Sequence, residues 1–401
     1  MKQKYMTGSF QLMKSLNLSL ILNTIREKGP ISRADVAKVT KLTPPTVSNL
    51  VRELLETEMV IESNLGVSKG GRKPTMLVIN AKNFFIIGLD VGPKHVKAVL
   101  ADLNANILQR YKVKIPFPAT NEKLLELLKE VIYNMKKNLD ESKLLGIGVA
   151  MHGMVDVKNG LSLFAPNLQL RDIPIKEYLE NEFNILVKVE NDARAMALGE
   201  YWFGIGKEID HMVAVNVGSG IGAGIVIDGK LLYGENDISG EIGHMTIDID
   251  GLKCSCGNYG CLQTLASGPA LAERAIKELA IGKESLLTEL TENNLEKIDG
   301  ALIYNAALKG DQLSIDILHE TARYLGIGLT NLIHTVNPKR IVIGGGVSKA
   351  NQFILKTVKR TIETRALTKS AKQTEVMISE LGDDATSIGA VALIFTQVFA
   401  S

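Results

Sequence analysis

Twice along this 401-residue chain an apolar run meets glycine and turns back into a second apolar run. The first passage reads "FFIIGLDVG" and then "HVKAVLADLNANILQRYKVKI"; the second reads "HMVAVNVGSGIGAGIVIDGKLL". Each run is short and bounded by glycine or asparagine, the pattern of strands joined by turns. In the first passage it predicts three strands, with the last turn at Asn104–Asn106. A helix over about Asn121–Leu139 and the strand "LLGIGVAM" follow. After the second passage come helical segments to about residue 335 and the strand "RIVIGGGV". Two sheets, each opening on a strand–glycine–strand hairpin and each backed by helices, predict a duplicated α/β architecture with a cleft between two lobes. The glycine turns admit two uses. "GSGIGAG" (Gly218 to Gly224) and "IVIGGGVSKA" either shape tight turns or bring backbone close to a ligand.

Before Asn83 the texture differs, and here charge matters. Residues 1–80 hold 12 Lys+Arg against 6 Asp+Glu, whereas the remainder holds 34 against 38. A basic head on a mildly acidic body points to a polyanionic partner, a solvated face being the plain alternative. Ser32 can cap a helix from about Arg33 to Val39, with Asp35 as its capping-box partner. Thr43 can cap the next, with Pro44 or Pro45 in the first turn, where a missing N–H costs nothing. Val47, Leu50, Val51, Leu54 and Leu55 then form one buried stripe, leaving Pro45, Thr46, Ser48, Asn49 and Arg52 outside it. Small polar side chains and an arginine at the start of a second helix suit the major groove. "MVIESNLGVSKGGRKPTMLVIN" reads as two strands around a basic turn, a wing whose Gly71, Arg72 and Lys73 would approach DNA. A helical hairpin used only for protein contacts is the alternative. Spacing, polar face and basic turn together favour a winged helix-turn-helix over residues 1–80.

All three cysteines fall in "GEIGHMTIDIDGLKCSCGNYGC", which reads His-x9-Cys-x-Cys-x4-Cys from His244 through Cys254, Cys256 and Cys261. One imidazole and three thiolates make a tetrahedral set suited to zinc, and Gly257 and Gly260 let the loop fold back. With no position left for water, such a zinc is structural. A redox thiol pair or chance clustering are the alternatives; Cys-x-Cys is poor geometry for a local disulfide. Upstream, "MHGMVD", "APNLQL" and "VENDARAMALGE" place short polar groups in apolar settings. Asn167, Asn191, Asp192 and Glu241 can ring a polyol, amides donating and accepting while carboxylates accept from hydroxyls. Asp192 is also placed as a general base, although Asn191 or Asp192 can equally serve as a helix cap. No apolar run is long enough to cross a membrane, and the start reads as an amphipathic helix, not a signal peptide. A cytoplasmic protein is expected.

"GEIGHMTI…CSCGNYGCLQTLASG", "PNL…VENDARAMALGE", "NVGSGIGAGIV" and "NPKRIVIGGGV" together resemble the ROK family (repressors, open reading frames, kinases) over essentially the whole chain. The head ending in "GGRKP" resembles the repressor branch, which includes xylose repressors and regulators of glucose and N-acetylglucosamine use. The resemblance implies an actin-like sugar-kinase (ribonuclease H-like) fold, with an N-terminal α/β lobe over 81–205 and a C-terminal lobe over 206–401. The second lobe would carry the zinc loop and a last helix returning toward the first. It places the sugar in the interlobe cleft against Gly153, Asn167, Asn191, Asp192, Glu241, His244 and Gln263, with His244 also a zinc ligand and Asp192 at the kinase base position. Gln263 stands where many members have a glutamate, and His152 where many have a proline. Kinases of the family carry Asp-x-Gly-Gly-Thr-Lys in the first loop, whereas this chain has "DVGPKH". Pro93 removes an N–H and Lys94 replaces a hydroxyl, so phosphoryl transfer is disfavoured. The expectation is a non-enzymatic, sugar-responsive repressor, a homodimer or dimer of dimers on a palindromic operator. The alternative is an ATP-dependent sugar kinase with an added DNA-binding head.

Overall fold

The computed structural model describes residues 10–65 and 74–399. The head begins with α1 (Phe10–Lys28), followed by β1 (Ile31–Ser32), α2 (Arg33–Thr40), α3 (Pro44–Glu56), β2 (Val60–Leu65) and β3 (Thr75–Ile79). Both expected caps form. Ser32 Oγ accepts from Asp35 N–H, and Thr43 Oγ1 from Thr46 N–H. Asp35 departs from a true capping box, since its carboxylate accepts from the Ser32 hydroxyl at 2.7 Å. Val47, Leu50, Val51 and Leu54 are buried as the periodicity requires, and Leu55 is half-buried. β2 and β3 pair antiparallel, and β1 adds a third strand that the sequence reading lacked.

The first lobe contains β4 (Phe85–Val91), β5 (His95–Asp102), β6 (Ile107–Lys114), α4 (Asn121–Lys136) and β7 (Leu144–Met151). Three short strands follow, β8 (Met154–Asp156), β9 (Leu161–Ala165) and β10 (Leu170–Ile173), then α5 (Ile175–Phe183), β11 (Val187–Asn191) and α6 (Asp192–Phe203). The second lobe opens with β12 (Met212–Val217), β13 (Ile221–Ile227) and β14 (Lys230–Leu231). Its helices α7 (Gln263–Ala266), α8 (Gly268–Ala280), α9 (Leu286–Leu290), α10 (Gly300–Leu308) and α11 (Gln312–Val336) precede β15 (Arg340–Gly344). The chain ends through α12 (Asn351–Arg365), α13 (Lys369–Lys372), β16 (Glu375–Ile378) and α14 (Ala385–Phe399).

The two main sheets share one plan. Their strand orders are β11-β7-β4-β5-β6 and β14-β13-β12-β15-β16. In each, an antiparallel three-strand meander begins at a central strand, whose other side pairs parallel with the next strand. The duplicated α/β reading therefore holds at the level of topology. Between the lobes, α6 and α14 pack side by side, and α14 lies on β4 and β7. Glycines make this approach possible: a Cβ at Gly148 would stand 1.8 Å from Ala390 O, and one at Gly389 2.0 Å from Ala195 O. The glycines in "LLGIGVAM" thus serve helix packing.

The far end of α14 meets the head. Val391, Ile394, Phe395 and Phe399 share one apolar cluster with Ile21, Ile25, Val51 and Leu77. The Arg26 guanidinium stacks 4.7 Å above the ring of Trp202, at the end of α6. Asn23 donates to the Phe399 carbonyl, and Lys143 pairs with Glu58. Among the described residues, no helix is long and apolar enough to cross a membrane.

Candidate functional site

The junction of β11 and α6 organises the cleft. Asn191 has extended backbone and caps α6, its Oδ1 accepting from the N–H groups of Ala193 and Arg194. Its amide still has a donor to spare, and Nδ2 donates to Gly153 O at 3.0 Å. Gly153 has φ +93°, and a Cβ there would meet Phe164 O at 2.2 Å and Pro166 Cδ at 2.9 Å. That close fit draws in the exposed turn between β9 and β10, which carries Asn167. Asn191, Gly153 and the turn that carries Asn167 are therefore neighbours.

Asp192, the next residue, accepts from Asn216 Nδ2 at 3.1 Å. Burial, then the nearby charges of Asp90 and Glu241, push its pKa up to about 7. Asp90 is itself raised by burial, partly offset by Lys97, whose Nζ lies 3.4 Å from its carboxylate. Beneath this group is a buried ion pair: Glu190 Oε1 accepts from Arg194 Nε at 2.7 Å and from Asn191 N–H at 2.7 Å. Arg194 Nη1 donates to Asp237 O at 2.6 Å. The pair ties the first turn of α6 to the segment that leads into Glu241. Such a pair holds geometry more than it adds stability.

His244 ends a short 3-10 turn, Ile242–His244, just after Gly240, whose carbonyl accepts from Ala223 N–H on β13. The donor atoms of His244, Cys254, Cys256 and Cys261 lie within 4.8 Å of one another. His244 Nδ1 is 3.7 Å from Cys254 Sγ, and Cys256 Sγ is 3.8 Å from Cys261 Sγ. Four ligands at zinc–sulfur and zinc–nitrogen bond lengths on a tetrahedron stand about 3.4–3.8 Å apart, so the cluster fits a metal of that kind. Gly260 has φ +64°, and a Cβ there would fall 1.4 Å from Asp248 O, so the loop closes only with glycine. Gln263 Nε2 donates to Cys254 Sγ at 3.2 Å.

The first two glycine loops are closed by their own hydrogen bonds. Gly92 N–H is spent on His95 O at 3.0 Å, closing the β4–β5 turn, and Pro93 has no N–H. In the second loop, Gly218 N–H bonds Gly220 O at 2.9 Å. Gly345, φ +81°, packs so close to Asn216 that a Cβ would meet its Oδ1 at 2.4 Å. Asn216 thus joins Asp192 to the third glycine turn, a role the sequence reading missed. A lone amide in the apolar strand "VAVNVG" was the available signal.

On the head, Pro45, Ser48, Asn49 and Arg52 are exposed and Thr46 is half-buried. Arg52 Nη2 donates to Asn49 Oδ1 at 3.3 Å, which holds both toward one face of α3. Gly71, Arg72 and Lys73 lie outside the described residues.

A winged helix-turn-helix joined to a two-lobed α/β domain of the sugar-kinase plan defines a class of DNA-binding regulator built on a kinase scaffold. Comparison with known proteins agrees. The ROK family model matches residues 86–397, and a winged helix-turn-helix DNA-binding model matches residues 15–61. The xylose repressor of Caldicellulosiruptor bescii is 33% identical over 98% of both chains. The N-acetylglucosamine repressor of Escherichia coli O6:H1 is 32% identical over 96% of this chain and 94% of its own. Among solved structures, a ROK family transcriptional regulator, a homologue of the E. coli MLC protein, has a TM-score of 0.85 at 29% identity over 96% of this chain and 97% of its own. A ROK family glucokinase from Streptomyces griseus, in complex with glucose and AMPPNP, has a TM-score of 0.71 at 32% identity over 77% of this chain and 98% of its own. The chain belongs to the ROK family.

Proposed function

We propose that the protein is a sugar-responsive transcriptional repressor of carbohydrate-use genes, without kinase activity, in which sugar bound between the lobes relieves operator binding. The observation that carries this reading is the β4–β5 loop. Of the donors a phosphate cradle needs there, one is consumed by His95 O and one is removed by Pro93. Residues 1–80 form the DNA head, 81–205 the first lobe and 206–401 the second. Pro45, Thr46, Ser48, Asn49 and Arg52 would face the major groove, with Gly71, Arg72 and Lys73 in the wing. Gly153, Asn167, Asn191, Asp192, Glu241 and His244 would hold the sugar. Gln263 would join them, its amide donor also reaching Cys254 Sγ. The curated relatives make xylose the first effector to test, with N-acetylglucosamine next.

His244, Cys254, Cys256 and Cys261 would hold a structural zinc, which supplies rigidity to the loop beside Glu241. The signal has a physical route. Asn191 and Asp192 start α6, and Trp202 and Phe203 at its end pack on Phe395 of α14 and, through Trp202, on Arg26 of α1. A sugar that tilts the lobes therefore moves the seat of the head, and a dimer would convert that motion into a changed spacing of half-sites. The competing reading, a sugar kinase with a DNA head, draws on Asp192, whose raised pKa suits a general base. A gel shift on the gene's own upstream region, with xylose, glucose and N-acetylglucosamine in turn and ATP consumption followed in parallel, separates the two. Sugar-dependent release without turnover is expected; steady ATP turnover overturns the reading.

A further inference from the structure

β7 ends at Met151, and the next residue, His152, is only 6% exposed. Its Nδ1 lies 3.0 Å from the carbonyl oxygen of Val91. A carbonyl can only accept, so Nδ1 carries the ring proton and Nε2 presents a bare lone pair. Burial lowers the imidazole pKa, against a smaller opposing effect of the Val91 bond, which keeps the ring neutral. That Nε2 is shut off from bulk water and has no hydrogen-bond partner among the described residues. An apolar side chain would fill the same space without stranding an acceptor.

The surroundings say what can serve it. His152 N–H also reaches Val91 O, at 3.3 Å, so the residue is fixed to the end of β4, one position after Asp90. On its other side is Gly153, whose carbonyl takes the Asn191 amide. The ring is therefore held between the two strand ends that carry the carboxylates and amides of the cleft.

We propose that His152 is a specificity-determining residue, its Nε2 accepting a hydrogen bond from one hydroxyl of the bound sugar. The inference rests on the sugar-responsive reading above. An acceptor fixed in this tautomer selects for a donor at one ring position and rejects an analogue that lacks it.

The test is a protein–ligand double-mutant cycle by calorimetry on the full-length protein. D-Xylose, D-glucose and N-acetyl-D-glucosamine are titrated first, followed by the monodeoxy analogues of whichever binds most tightly. In the native protein one analogue should bind at least roughly 10-fold more weakly than the parent sugar. In His152→Leu the parent should weaken by about the same factor, while that analogue changes less than about threefold. His152→Gln, which keeps an acceptor, should restore part of the discrimination. Retained operator binding shows that each variant is folded. Parallel weakening of all analogues would overturn the inference, because it is what a purely structural histidine, or one served by water, would produce. Should none of the three sugars bind the native protein, the functional reading fails along with it; binding with an additive cycle removes only the role of His152.

Discussion

If the carboxyl of Asp192 contacts the sugar, binding becomes a function of pH. Its pKa is pushed up to about 7, from an ordinary value of 3.8, by burial and by Asp90 and Glu241. The native state therefore holds a proton that the unfolded chain has lost across that window. This group's effect on folding stability becomes less favourable as pH rises from 3.8 toward 7. If sugar hydroxyls donate to the ionised carboxylate, binding must first remove that proton. About one tenth of the molecules are ionised at pH 6 and about nine tenths at pH 8, so affinity should rise roughly tenfold between them. Titration calorimetry at pH 7 in buffers of different ionisation enthalpy should find about half a proton released per sugar. Asp192→Asn should remove both the slope and the proton release. It should also weaken binding at pH 8 by about 1.5–3 kcal/mol, roughly 10- to 150-fold, the worth of a charge-assisted hydrogen bond. A flat profile in the native protein, or a slope that survives in Asp192→Asn, would refute the reasoning.

Other consequences follow from the head, the cysteine loop and the contact between the head and α6. Arg52→Ala should weaken operator binding evenly across operator sequences and most at low salt, reducing the salt slope by about one if it contacts phosphate, while leaving sugar affinity unchanged by calorimetry. Gly260→Ala puts a methyl group into Asp248 O, so the purified variant should lack zinc by elemental analysis and lose the sugar response. Arg26→Ala removes a guanidinium stacked on Trp202, the single tryptophan of the chain. Loss of about 0.5–2 kcal/mol at that contact should shift the intrinsic fluorescence and reduce the sugar-induced change in operator affinity, with sugar binding itself preserved.

Much of this was legible in the sequence because the signals are local. Thr43 and Ser32 announce helix starts by side-chain chemistry that acts within three residues. The His-Cys-Cys-Cys spacing brings its donors together within one loop, and the two strand–glycine–strand passages reveal the duplicated sheets. What was hidden is long-range. Asn216 sits in an apolar strand and meets Asp192 only because β12 and α6 are adjacent. The Glu190–Arg194 pair reads as an ordinary i,i+4 helix pair until burial gives it meaning. Residues 154–173 showed scattered polar groups, whereas they form a small three-stranded sheet that packs Phe164 and Pro166, next to Asn167, on Gly153. Sequence likewise shows the place of Gln263 near the last cysteine but not the hydrogen bond of its amide to Cys254.

The central claim is that one conformational equilibrium serves both the cleft and the head, and linkage tests it most directly. Operator affinity is measured with and without saturating xylose, and xylose affinity with and without saturating operator, on the same preparation. The account predicts that each ligand weakens the other by the same factor, within error, and that no ATP is consumed when it is added. A xylose affinity untouched by saturating operator, alongside operator binding untouched by xylose, would contradict it.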